Sequence, residues 1–170
     1  MPVADPPSRR RFRIDWVLRQ ELALGPALLR RHHLDQLEQA GLCGVLSLSG
    51  VEEAPPPLGI EQRFRCRRLV LPDHRSGRLI EPAELEAALE LLAELSAEGP
   101  VFVHCVAAME RSPLVCLAWL MRRRGLSQQQ ALDYLMQVHP GTSPLPGQLR
   151  VLEGLNGPTG ASPNGEKVNT

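Results

Sequence analysis

The sequence predicts an α/β fold: a single domain with a central, mostly parallel twisted sheet, helices on both of its faces, and a loop joining one strand to a helix N-terminus. Three observations predict it. Short apolar runs alternate with segments whose apolar residues recur at helical spacing. Some of these runs, such as V-F-V at 101–103, are continuously apolar, as strands covered on both sides are. The chain has 170 residues, enough for one hydrophobic core and not comfortably for two.

The elements follow in order. Residues 1–10 are rich in Pro and Arg and are expected to be disordered. Residues 156–170, mostly Gly, Pro, Asn and Ser, are expected to form a flexible tail, which leaves 11–155 as the domain. Residues 12–18 and 21–24 read as two short strands, ended by Gly25-Pro26. A helix is expected over 28–40, with Leu34 and Leu37 on one side and Gly41 as its stop. Residues 43–48 read as a buried strand. Residues 51–62 carry Pro55, Pro56 and Pro57 and read as a loop. Residues 64–71 form a further strand, partly alternating. Pro82 stands where a first helical turn favours proline, and Leu85, Leu89, Leu92 and Leu95 follow at helical spacing until Gly99-Pro100. After the strand 101–103 come an apolar helix over 112–123 and a helix over 128–138 opened by a Ser127/Gln130 capping box. A loop and a last short helix complete 141–155.

Composition narrows the function classes. Formal net charge is zero, against a nucleic-acid partner, which would call for a basic excess. Four cysteines do not make a disulfide scaffold, the N-terminal residues lack the apolar core of a signal peptide, and no run of 18 apolar residues exists. A reduced, cytoplasmic, monomeric protein without membrane association is expected.

The chemistry lies in V-F-V-H-C-V-A-A-M-E-R-S-P, which reads as a strand, a loop from Cys105 to Arg111, and a helix. The bare spacing C-x5-R is weak: Cys116 and Arg122 match it too, inside an expected helix. Context separates the two. Cys105 leaves a strand and follows His104; Val106, Ala107 and Ala108 are small enough for a tight loop; Met109 and Glu110 lead to Arg111, which opens a helix and precedes Ser112 and a proline. Such a loop aims backbone N–H groups at one point, and the helix dipole makes that point attractive to an anion. The same field favours the thiolate of a cysteine. An arginine there offers a planar fork to two phosphate oxygens.

On these residues the chain resembles the cysteine-based protein tyrosine phosphatase superfamily, and within it the dual-specificity branch, over roughly Phe12 to Leu155. The resemblance implies that Cys105 attacks phosphorus to form a phosphocysteine and that Arg111 binds the phosphoryl oxygens. Ser112 would stabilise the departing thiolate, and His104 would order the loop of residues Val106 to Arg111. The family's general acid is usually an Asp on a loop after the preceding strand. Asp73, in L-P-D-H, lies 32 residues before Cys105 and is the sole Asp between Asp35 and Asp133. Gln148 resembles a polar residue near the hydrolytic water. The family usually has Gly where this chain has Ala108, and Glu110 would repel phosphate if it pointed inward. No metal or cofactor is implied. The expected substrate is a phosphorylated protein or a small phosphomonoester.

Two alternatives use the same loop: a pseudophosphatase that binds phosphorylated partners, and other thiolate chemistry such as sulfur transfer or arsenate reduction. His32 and His33 read as surface residues, since neighbouring histidines on a helix point apart and nothing completes a metal site. His74 reads as a solvated loop residue, and Arg63, Arg65 and Arg67 as a solvent-facing row. Cys43 or Cys66 could pair reversibly with Cys105 if the fold brought them close.

Overall fold

A computed structural model describes residues 11–155; the expectations for 1–10 and 156–170 lie outside the described residues. The strands are β1 (Asp15–Leu18), β2 (Leu22–Gly25), β3 (Gly44–Ser47), β4 (Arg65–Arg68) and β5 (Val101–His104). The helices are α1 (Arg31–Gln39), α2 (Ile60–Arg63), α3 (Pro82–Ser96), α4 (Arg111–Arg124), α5 (Gln128–Val138) and α6 (Pro146–Val151). The sheet order is β1-β2-β5-β3-β4, with β1 and β2 antiparallel and every other pair parallel.

Strand residues alternate between two cores, as the pleat requires. Leu22, Leu24, Leu46, Val101 and Val103 pack with α3, α4 and α5 on one face. Ala23, Val45 and Phe102 pack with Leu34 and Leu37 of α1 and with Ile60 and Phe64 around α2 on the other. Helices therefore cover both faces, as expected. The central strands β3 and β5 are fully buried, and their carboxyl ends, with that of β4, open onto one edge. Ligands of open α/β sheets bind at such an edge, and Cys105 emerges there from β5.

Differences from the sequence reading are local. The 51–62 segment is not all loop, because Ile60 seeks the core and draws Ile60–Arg63 into one helical turn after the left-handed Gly59. His33 is buried rather than exposed. Its Nδ1 accepts the Leu29 and Arg30 N–H groups ahead of α1, and its ring stacks on Phe12 at 4.2 Å. The arginine row is paired: Arg63 binds Asp35 and Glu38 of α1, while Arg65 and Arg67 reach Glu98 and Glu94.

Gly25 ends β2 where no side chain fits: a Cβ there would overlap the Arg13 carbonyl and lie 2.9 Å from the Phe102 ring. Gly25→Ala is expected to cost about 2 kcal/mol or more in chemical denaturation, because neither the backbone nor the packed ring can withdraw.

Candidate active site

The loop 105–110 is held from outside by its carbonyls. The Cys105 carbonyl accepts from His104 Nδ1 at 2.9 Å, Val106 from the Ala27 N–H at 3.0 Å, Ala108 from His139 Nε2 at 2.6 Å, and Met109 from the Ser143 N–H at 2.9 Å. In a trans peptide the N–H points opposite to the C=O, and no peptide here is cis. The N–H groups of Val106, Ala107, Met109 and Glu110 therefore face away from these four anchors, toward the loop's interior. Helix α4 begins at Arg111 and adds the N–H groups of its first turn.

Cys105 is buried, and its Sγ lies 3.2 Å from Ser112 Oγ in the first turn of α4. His104 is buried behind it, and burial pushes its imidazole down to about 4. The ring is thus neutral at pH 7. Its Nδ1 faces a carbonyl and must carry the proton, so Nε2 accepts from Ser47 Oγ at 2.7 Å. That bond ties the site to the neighbouring strand β3.

Arg111 is buried to all but 4% and is the site's fixed cation. Its Nη1 donates to Glu53 Oε2 and to the Leu48 and Leu71 carbonyls, and its Nη2 donates to Glu53 Oε1 at 3.1 Å. The guanidinium has five N–H groups; these bonds leave Nε–H and one Nη2–H as a second planar fork. Burial works against the Arg111 charge, but Glu53 and the nearby thiol more than restore it. Burial pushes the Glu53 carboxyl up, and Arg111 with the Gly50 N–H pulls it net below its ordinary range. The sequence reading missed Glu53. The signal available was a tight turn, Gly50 to Glu53, directly after a buried strand, where the Glu53 N–H reaches the Gly50 carbonyl and the Glu53 carboxylate caps the Gly50 N–H.

Asp73 follows β4 as expected and joins Cys105 and Arg111 in one cavity of about 320 Å³, lined also by His74, Arg75, Val106, Ala107, Met109, Glu110, Ser143 and Leu145. Its Oδ2 lies 3.9 Å from Arg111 Nη2. Arg75 donates to Asp73 through its backbone N–H and its Nε, each at 3.0 Å. Burial pushes the Asp73 carboxyl up, and Arg75 then holds it net below the usual carboxylate range.

Ala108 sits at φ +56, the conformation for which glycine is usual, and it is buried. Its carbonyl is fixed by a relay that the sequence did not reveal: His139 Nε2 to Ala108, and His139 Nδ1 to Asp15 of β1 at 2.5 Å. Glu110 reaches across to the loop that carries Asp73. Its Oε2 accepts from His74, at 3.1 Å from Nδ1 and 3.4 Å from the backbone N. Gln148 stays outside the cavity, buried and capping α6 through the Leu145 N–H at 2.8 Å. Cys43 precedes β3 at the opposite end of the sheet from Cys105. Cys66 lies level with Phe102 two strands away, and Cys105 is three residues beyond Phe102, on the order of 14 Å from Cys66; neither Cys43 nor Cys66 is within disulfide reach. Burial, and then Cys105, push the Cys116 thiol upward.

A buried thiol at the exit of a parallel strand, an arginine at the following helix start, and a carboxylate on the neighbouring loop fit a cysteine-centred anion site of the phosphatase type. Comparison with known proteins agrees. The model for the dual specificity phosphatase catalytic domain matches residues 67–155, and the chain belongs to that family. It is 32% identical to human dual specificity phosphatase 28 over 113 residues, 66% of this chain and 61% of that protein. It is 28% identical to human dual specificity protein phosphatase 2, of which the match spans 35%. The chain thus spans less than two thirds of either relative. Among solved structures, Tk-PTP in its active form superposes with TM-score 0.72 at 25% identity, over 84% of this chain and 95% of that one. A single-residue variant of human dual specificity phosphatase 28 superposes with TM-score 0.67 at 28% identity, over 83% and 92%.

Holding Ala108 in the left-handed region costs about 1 kcal/mol. Ala108→Gly is therefore expected to raise stability by about that amount, read as a higher denaturation midpoint with unchanged slope.

Proposed function

We propose that the chain hydrolyses phosphomonoesters without a metal, through a phosphocysteine, and that its substrates are proteins phosphorylated on tyrosine and on serine or threonine. The observation that carries this is the four-point outward anchoring of the loop carbonyls around Cys105, which aims the opposite N–H groups at one anion position. Family membership supports the reading.

The chemistry follows from the groups in place. The Cys105 thiolate attacks phosphorus as the bond to the leaving oxygen breaks, and Asp73 in its acid form supplies that oxygen's proton. The loop N–H groups and the free fork of Arg111 hold the equatorial oxygens, fixed dipoles doing the work a metal does elsewhere. In the second step Asp73, now a carboxylate, takes a proton from water as the water oxygen bonds to phosphorus, and the S–P bond breaks. Ser112 Oγ donates to the departing thiolate, a role that fits its 3.2 Å contact.

Asp73 is ionised in the free protein, and a bound phosphate dianion raises its proton affinity by like-charge repulsion. The arrival of substrate thus helps to make the acid.

Ala108 and Glu110, which motivated the binding-only alternative, do not obstruct this reading. The first adopts the backbone conformation its position needs, and the carboxylate of the second is engaged by His74.

Wild type is expected to hydrolyse para-nitrophenyl phosphate in the presence of EDTA, and Cys105→Ser to show none above background while still binding phosphate. EDTA-sensitive turnover, or turnover retained by Cys105→Ser, would overturn the mechanism. A second expectation concerns pH. Cys105 must be ionised while Asp73 is protonated, so the rate profile is a bell centred between the two titrations. Arg75 holds Asp73 low, and Arg75→Ala releases it upward, so the pH optimum should move to higher pH. A static or falling optimum would remove Asp73 from the acid role.

A further inference from the structure

Glu110 and His74 have no role in the chemistry above, yet each adjoins a residue that does: Glu110 precedes Arg111, and His74 follows Asp73. The Glu110 side chain is 17% exposed, and both its contacts with His74 cross from the thiol loop to the acid loop. The other short polar bonds within the acid loop are internal, from Arg75 to Asp73 and from Ser76 to the Asp73 and Arg78 carbonyls. Arg111 Nη1 also donates to the Leu71 carbonyl at 3.2 Å, ahead of Asp73, whereas the ion pairs that carry Asp73 and Arg75 themselves toward Arg111 and Glu53 are longer, 3.9 and 3.8 Å.

We propose that Glu110 is a positioning residue: by gripping His74 it latches the Asp73 loop against the thiol loop and so places the general acid at the leaving oxygen. The inference rests on the phosphatase reading and adds to it a residue that acts through Asp73 rather than on phosphate. Three physical points support it. A carboxylate only accepts, so His74 Nδ1 carries the proton in this contact. The backbone N–H of His74 is a second donor to the same oxygen, so the grip holds the main chain beside Asp73 as well as a flexible ring. The Glu110 charge, which would repel a phosphate if turned inward, is spent on the neighbouring loop.

A latch predicts a leaving-group signature. Acid catalysis matters most when the departing oxygen is basic, as in phosphotyrosine, and least for a more acidic phenol such as para-nitrophenol. Glu110→Ala should lower kcat on a phosphotyrosine peptide about tenfold and on para-nitrophenyl phosphate less than about twofold. Glu110→Gln keeps an acceptor for His74 and should recover most of the loss. Because Glu110 acts through Asp73, Glu110→Ala combined with Asp73→Asn should be no slower than Asp73→Asn alone. Equal losses on both substrates, or additive losses in the double variant, would overturn the proposal and assign Glu110 to the integrity of the thiol loop.

Amide hydrogen exchange on the same variants reads the latch without any turnover. Residues 73–76 should exchange faster in Glu110→Ala while 106–110 do not; unchanged exchange at 73–76 would overturn the latch. A wild type that shows no Cys105-dependent turnover would instead sink the phosphatase reading, and the exchange result would still decide whether the loops are coupled.

Discussion

A loop of six residues concentrates its N–H groups on one point only if its carbonyls are satisfied elsewhere, since a buried carbonyl without a partner costs as much as a lost hydrogen bond. This constraint organises the molecule around residues 105–110. The partners come from four places: the ring of His104 at the end of β5, the main chain at Ala27 after β2, His139 after α5, and the main chain at Ser143 before α6. The β1–β2 hairpin and the C-terminal helices therefore serve the site without contributing a reacting group. Asp15 on β1 orients His139, which holds Ala108, so an edge strand is wired to the loop by two side-chain bonds.

Charge obeys a similar economy. A guanidinium as buried as that of Arg111 needs a counterion, and a carboxylate placed over the whole guanidinium would block the anion. Glu53 meets both demands by taking one edge of the fork and leaving the other. The same device recurs at lower strength, with Arg75 on Asp73 and His74 on Glu110. Glu53, Asp73 and Glu110 thus each have a donor partner of their own.

The fold was legible because its signals are local. The leucine stripe of α3, the Ser127 capping box and the apolar run of β5 each depend on residues a few positions apart, and each element appeared within a few residues of its expected limits. Cys105, Arg111 and Ser112 were legible for the same reason, lying within one continuous strand–loop–helix segment. Asp73 was singled out because no other Asp lies between Asp35 and Asp133, and the fold places it in the cavity with Cys105. Glu53, His139 and Asp15 were not legible, since their partners are 58, 31 and 124 positions away and only the closed sheet brings them together. The distances that ruled out Cys43 and Cys66 as partners of Cys105 were hidden for the same reason.

The cost at Ala108 shows how such long-range bonds act on local preference. An alanine left alone avoids the left-handed region, and a six-residue loop with no outside ties would relax by turning its carbonyls and scattering its N–H groups. The His139 bond is made to the carbonyl of the strained residue itself, and the Ser143 bond to the next one. Relaxation would break both and leave at least the carbonyl of the buried Ala108 without a partner, at roughly 1–3 kcal/mol, against about 1 kcal/mol of strain released. The two hydrogen bonds outweigh the strain, so the loop keeps the shape that glycine would give freely. An alanine is tolerated here because elements distant in sequence over-determine its conformation.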